Sequence, residues 1–272
     1  MSLAMDAPIS APARGMNALG DLSAHILSVL ERRGADMSQL GVPPQPEPED
    51  GLWEDVAVPQ ARAARNAWRN SMLDAAHDEY LRFRFADLDP NQKPDTLQKW
   101  LNSLVEAKEL DARPGTLNLI VPGNVGSGKT ALVSALGNEA AERGLRVLFL
   151  KHATYLTWRR PDSAPRNLTT HQVRHMFVTC DLLILDELCG EMDMTATEFA
   201  RRETIDLIDS RIAAGRPTAY STNLRSRRTP EHPGLGVADV LGERLLSRLE
   251  SSAHLVKVVG PDRRKPAKPL DW

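Results

Sequence analysis

The sequence predicts an α/β protein built on a five-stranded parallel sheet with helices on both faces. Three observations lead there. From residue 116 onward, short apolar runs alternate with segments of helical apolar spacing, the order that gives parallel strands joined by crossover helices. A glycine-rich stretch, Gly123-Asn124-Val125-Gly126-Ser127-Gly128-Lys129-Thr130, lies between the first strand and the first helix of that series. The third apolar run, Leu182-Leu183-Ile184-Leu185, ends in two carboxylates, Asp186 and Glu187.

The composition sets bounds. The 272 residues leave room for one substantial α/β domain and a smaller piece, and 42% hydrophobic residues are enough for a core. A net charge of −2 excludes a general polycation, so any nucleic-acid contact must come from a local patch. Two cysteines, Cys180 and Cys189, are too few for a disulfide framework or a four-ligand zinc site, and they read as packing residues. No apolar run approaches the ~18 residues of a membrane span. The N-terminus lacks a basic segment followed by an apolar one. A cytoplasmic protein without membrane contact is expected.

The chain divides into three parts. Residues 1–50 form an acidic arm, with seven Asp and Glu against three Lys and Arg. Its first 15 residues are Ala-, Pro- and Ser-rich, a composition expected to be disordered. Residues 16–33 place Leu19, Leu22, Ile26, Leu27 and Leu30 at the spacing of one amphipathic helix. A lone helix cannot bury its own apolar face, so this one either docks on the main domain or binds another protein. Residues 34–50 are a Pro- and acid-rich linker. Residues 51–94 form a helical linker region. Within it, 59–86 reads as one long helix starting at Pro59, with Arg62, Arg65, Arg69, Arg82 and Arg84 interleaved with Trp68, Tyr80, Phe83 and Phe85. Such a segment either presents a nucleic-acid surface or packs its aromatics inward and solvates its arginines. Leu88–Lys93 reads as a loop.

Residues 95–272 form the main domain. A helix at 95–110 precedes strands at 116–121, 146–151, 181–186, 217–222 and 254–259. Helices are expected at 129–143, about 169–178, about 195–213 and about 237–250.

The glycine-rich stretch fits G-x-x-x-x-G-K-[ST], a phosphate-binding loop. Its glycines let several N–H groups converge on one point, and the helix beginning near Lys129 adds its positive end. Gly123 through Thr130, with the following Ala131, are the candidate phosphate-binding residues. Lys129 supplies a full charge to the β- and γ-phosphates, and Thr130 a hard oxygen for Mg²⁺. Asp186, at the tip of a buried strand, is the second candidate for the metal. Glu187 is the candidate for orienting and deprotonating a water. Asn223, at the end of the next strand, is placed to reach the γ-phosphate and that water. Arg244 and Arg248 lie four apart on one helix face, and such an arginine can neutralise charge on a neighbouring subunit's nucleotide.

The order of these motifs resembles the AAA+ ATPases. Phosphate loop and Asp186-Glu187 are followed by Ser221-Thr222-Asn223-Leu224 and by Gly242-Glu243-Arg244-Leu245-Leu246-Ser247-Arg248-Leu249. Within that class the chain is similar to bacterial replicative-helicase loaders of the DnaC/DnaI type, whose sister group is the IstB-type helper ATPases of transposition. The resemblance covers about 95–260 and includes Asp209-Ser210-Arg211. It implies Mg·ATP as cofactor, Asn223 as the first sensor and Arg248 as the arginine finger, with Arg244 one turn earlier. It also implies no C-terminal lid, since only Gly260–Trp272 follow the last strand. A loader of this kind would act on a DnaB-type replicative helicase and single-stranded DNA, and would self-associate when ATP is bound. The alternatives are a transposition helper acting on duplex DNA and a small-molecule kinase. For the kinase, neither lid nor acceptor pocket is visible, and Glu187 favours hydrolysis.

Overall fold

The computed structural model describes residues 54–165, 168–190 and 197–263. They fall within one compact unit, Trp53–Trp272, while the second unit, Met1–Leu52, lies outside the described residues. The arm at 1–50 and its amphipathic helix are therefore not among the residues described.

The strand segments of the sequence become five parallel strands. They are β1 (Asn118–Pro122), β2 (Val147–Lys151), β3 (Leu182–Asp186), β4 (Thr218–Thr222) and β5 (Ala253–Leu255), in the order β2-β3-β4-β1-β5. Every position of β3 and β4 is buried; β3 accordingly reads as an unbroken apolar run, while β4 buries the hydroxyls of Thr218, Ser221 and Thr222. Pairing of Pro122 with Thr222, and of Leu185 with Tyr220, brings the tips of β1, β4 and β3 out at one edge.

Helices cover both faces. On one side lie α1 (Glu54–Asp74), α2 (Pro94–Glu109) and α3 (Lys129–Glu142), which bury Trp68, Met72, Trp100, Leu132 and Leu136 against Leu119, Val121 and Ile184. On the other, α4 (His152–Trp158), α5 (Thr170–Thr179), α6 (Glu198–Ala213), α7 (Val237–Leu241) and α8 (Glu243–Glu250) pack Tyr155, Phe177, Leu207, Val240 and Leu249 against Leu183, Leu185 and Tyr220. At the base of the sheet Arg211, fully buried, bonds Thr218 Oγ1 and the carbonyls of Phe177, Val178, Cys180 and Pro217. It ties the ends of α5, α6 and β4 together. Cys180 and Cys189 are buried free thiols.

The element boundaries differ from expectation in several places: the first helix starts at Glu54 rather than Pro59, and the last strand, expected over 254–259, spans only Ala253–Leu255. The helix expected over 59–86 ends at Asp74, and 3-10 turns follow at Asp78–Arg82, Phe85–Asp87 and Pro90–Gln92. Ala76, at φ +53°, reverses the chain, with the N–H of His77 donating back to Met72 O. The aromatics of this segment turn inward, since Trp68 and Phe85 are buried and Tyr80 and Phe83 pack on the same cluster. Its helix α1 also covers the free edge of β2, where Phe149 N–H donates to Ser71 Oγ at 2.9 Å. The helix expected over 237–250 is broken at Gly242, φ +91°. Finally, α4 begins directly at the end of β2, with no linker to announce it.

Candidate nucleotide site

The phosphate loop springs from the tip of β1. Gly123 N–H donates to Thr222 O at 3.1 Å, and a Cβ at Gly123 would lie 2.5 Å from Val258 O, so the close approach of the C-terminal segment demands glycine. Gly126 takes φ +73°, and its missing Cβ leaves the space that the Asp262 carboxylate occupies. Within the loop, Ser127 Oγ and Lys129 Nζ both donate to Asn124 O, at 2.8 and 2.7 Å. Lys129, only 8% exposed, thus lies along the loop with its charge folded over it. α3 starts at Lys129, so its N–H end opens at the same place.

The acid stands two strands away. Asp186, wholly buried, accepts from Thr130 Oγ1 at 3.1 Å through Oδ2 and from Ser221 Oγ through Oδ1. The same Ser221 hydroxyl accepts from Glu187 N–H at 3.0 Å. Loop and acid strand are therefore joined directly, and β4, which lies between them in the sheet, supplies the hydroxyl that orients the acid. Thr130 and Asp186 offer hard oxygens side by side at the start of a helix, a donor set suited to Mg²⁺ completed by phosphate and water.

Glu187 points into solvent from a left-handed turn, with φ +57° at Glu187 and φ +60° at Cys189. This costs strain for non-glycine residues and is held from three sides. Leu188 N–H donates to Ser221 O at 2.8 Å, Thr222 Oγ1 donates to Leu188 O at 2.9 Å, and Cys189 N–H donates to His152 Nδ1 at 3.4 Å. On the far side of its ring, His152 Nε2 lies 2.7 Å from Thr204 Oγ1, which itself donates to Ala200 O. With its own proton committed, that hydroxyl accepts from Nε2–H, and Nδ1 is left as the acceptor. Burial holds His152 neutral, its pKa pushed down to about 4.

Asn223 is exposed at the tip of β4 and shares the wall of a cavity of about 510 Å³ with Gly123, Asn124 and Leu188. Arg244 and Arg248 both lie on α8, and neither bonds the Asp186 cluster among the described residues. Arg244 is exposed, and Arg248 Nη1 lies 2.8 Å from Asp209 Oδ1 on α6.

Several residues at the site were given no role of their own from sequence. Ser221 and Thr222 were visible as two hydroxyls ending an apolar strand. Gln92 is buried and donates to Gly128 O at 3.3 Å, while its Oε1 accepts from Asp89 N–H at 2.9 Å. The Asp-x-x-Gln spacing was the signal. Arg263 N–H donates to Gly126 O at 3.0 Å, and its guanidinium pairs with Asp89. Between these residues and the loop lies a second cavity, of about 260 Å³, walled by Tyr80, Phe83, Leu88, Gln92, Lys129 and Arg263.

A phosphate loop after β1, an acid at the tip of β3 and a polar-ended β4 between them define a P-loop ATPase of the AAA+ class. The chain belongs to the family described as IstB-like ATP binding protein, whose model matches residues 52–270. It is similar to a replicative helicase loader DnaC of Buchnera aphidicola, 27% identical over 48% of this chain and 50% of that one. It is also similar to a putative ATP-binding protein in an insertion sequence of Mycobacterium tuberculosis, 29% identical over 68% of this chain and 69% of the other. The chain thus spans about half the length of the curated DnaC relatives it matches. Among solved structures, a DnaC helicase loader aligns with TM-score 0.51 at 19% identity, covering 66% of this chain and 98% of that one. DnaI aligns with TM-score 0.50 at 22% identity, covering 68% and 93%. These likenesses establish the fold.

Proposed function

We propose that the protein binds and hydrolyses Mg·ATP to load a replicative helicase of the DnaB type onto single-stranded DNA, assembling with further copies of itself while ATP is bound. The observation that carries the hydrolytic part is the Thr130–Asp186–Ser221–Glu187 chain of hydrogen bonds. Lys129 leaves Asn124 O for the β- and γ-phosphates, and the loop amides hold the same oxygens. Thr130 Oγ1 and Asp186 would hold Mg²⁺, which supplies charge neutralisation on the phosphates when bound. Glu187, already aimed at solvent by its left-handed turn, accepts the proton of the attacking water, and Asn223 aligns that water. Arg248, part-exposed beside α6, is offered to the nucleotide of a neighbouring copy once its pairing with Asp209 opens, with the exposed Arg244 one turn away. The nucleoside end has the 260 Å³ cavity beside Gln92 within reach.

The DnaC relatives and the DnaC and DnaI folds support the loader reading. The insertion-sequence relative, matched over a larger share of both chains, favours a second one, an ATPase that assembles on duplex DNA to assist a transposase. One experiment separates them. ATPase rates are measured with single-stranded DNA, with duplex, with the cognate hexameric helicase and with the cognate transposase. Stimulation by the helicase and single strands supports the loader, and co-purification with the helicase lost on removing residues 1–50 assigns the arm. Stimulation by duplex and transposase alone overturns the loader in favour of the helper.

A further inference from the structure

We propose that the groove between α1 and the C-terminal half of α3 is the surface that holds the nucleic-acid backbone, with Arg65, Arg69 and Arg84 as its phosphate contacts. This rests on the reading of the protein as a DNA-acting ATPase and adds the place where the DNA lies. The groove has a volume of about 410 Å³ and is lined by Arg65, Asn66, Arg69, Arg84 and Glu142. Arg62, one turn before, continues the row. In a chain of net charge −2, four arginines gather here around the single acid of the lining.

The row is costly for α1 on its own. Arg62 and Arg65 are three apart, Arg65 and Arg69 four apart, and like charges at those spacings repel on a helix. The other residues one turn from each arginine are Val58, Pro59, Ala61, Asn66, Trp68, Met72 and Leu73, so no carboxylate on α1 relieves the repulsion at that spacing. Across the groove, Glu142 reaches Arg65 only at 3.5 Å, with both side chains about half exposed. An ion pair of that kind contributes little. A polyanion laid along the row removes the repulsion and releases its own counterions.

The groove is also stiff. Trp68 Nε1 donates to Asn138 Oδ1 at 2.6 Å, and its ring lies where a Cβ on Gly137 would be, 2.2 Å from the nearest ring atom. Asn138 Nδ2 donates to Tyr80 O and Phe83 O, at 2.9 and 2.8 Å. One side chain of α3 therefore fixes both α1 and the turns that carry Arg84. Arg84 is itself oriented by bonds to Leu81 O and Phe83 O, both at 2.9 Å. Aromatic stacking has no part in this surface, because Trp68 and Phe85 are buried. Phosphate contact without base readout follows, and so does binding that is sensitive to salt and tolerant of sequence.

The test uses the full chain and the double variant R65Q/R69Q. Anisotropy of a labelled oligo(dT) and of a labelled duplex is followed across a salt series, with ADP and with a non-hydrolysable ATP analogue. The variant is expected to bind at least tenfold more weakly. Its log–log salt slope on single strands should be shallower by about 1.4, two lost contacts at about 0.7 each. R65K/R69K, which keeps the charge, should restore most of both, and DNA-free ATPase should be unchanged. Wild-type affinity and slope in R65Q/R69Q would overturn the placement while leaving the DNA reading intact. Wild-type protein that binds neither DNA form would remove that reading itself. Competition by polyglutamate as strong as by unlabelled oligo(dT) would reassign the groove to an acidic protein partner.

Discussion

Acid should destabilise this protein through one buried histidine. His152 is 2% exposed, and burial alone holds its pKa near 4, against 6.5 for a free side chain. Its ring is neutral in the folded state, accepting from Cys189 N–H and donating to Thr204. The folded pKa lies below the unfolded one, so between these values the unfolded chain takes up the extra proton. Stability is fully present above pH 6.5 and drains away as the pH falls towards 4. Evaluated with these two pKa values, the loss is about 2 kcal/mol at pH 5 and about 3 kcal/mol at pH 4. That is a large fraction of a domain's stability. The measurement is urea unfolding of wild type and His152→Asn at pH 7.5, 6, 5 and 4.5. Asparagine keeps an acceptor at the δ position for Cys189 N–H and does not titrate. Other histidines, His77 among them with its pKa also lowered by burial, and all carboxylates contribute equally to both proteins. The variant should start less stable, having lost the bond to Thr204, yet lose about 2 kcal/mol less on going from pH 7.5 to 5. Parallel curves for the two proteins would refute the assignment of a buried, neutral His152.

Three further outcomes follow from the same geometry. Ser221→Ala removes the donor to buried Asp186 and the acceptor of Glu187 N–H, and should cost about 2–3 kcal/mol in denaturant unfolding and at least tenfold in kcat, with ATP affinity nearly kept; unchanged kcat would show that the hydroxyl does not orient the acid. Glu187→Gln, at an exposed position whose side chain makes no hydrogen bond among the described residues, should retain stability and ATP binding while losing turnover, and a turning-over variant would remove Glu187 from the chemistry. Arg211→Met leaves the carbonyls of Phe177, Val178, Cys180 and Pro217 without their donor in the interior, and should cost about 4 kcal/mol by urea unfolding; a loss under about 1 kcal/mol would mean that water or repacking replaces it.

What could be read from the sequence follows how local its cause was. β1, β2 and β3 are short, mainly apolar runs, and the phosphate loop is a contiguous motif, so the centre of the sheet, the loop and the position of Asp186 were legible. The end of α1 was not. A glycine would have announced the reversal, but Ala76 takes the left-handed conformation instead, stabilised by the bond from His77 to Met72 and by the packing of the preceding Ala75 on the core. The same holds within the site. Asn223 drew notice by its place at a strand end, yet the side-chain contacts that aim the acid turn come from Ser221, Thr222 and His152, which lie 34 or more residues away from their partners. No spacing rule connects residues so separated; only the sheet order does, by placing β4 between loop and acid and β2 beside them. The residues that carry a phosphate motif are fixed by local geometry. Those that hold its water-facing carboxylate in a strained turn are fixed by topology, and substitutions there should alter turnover without altering the motif that names the family.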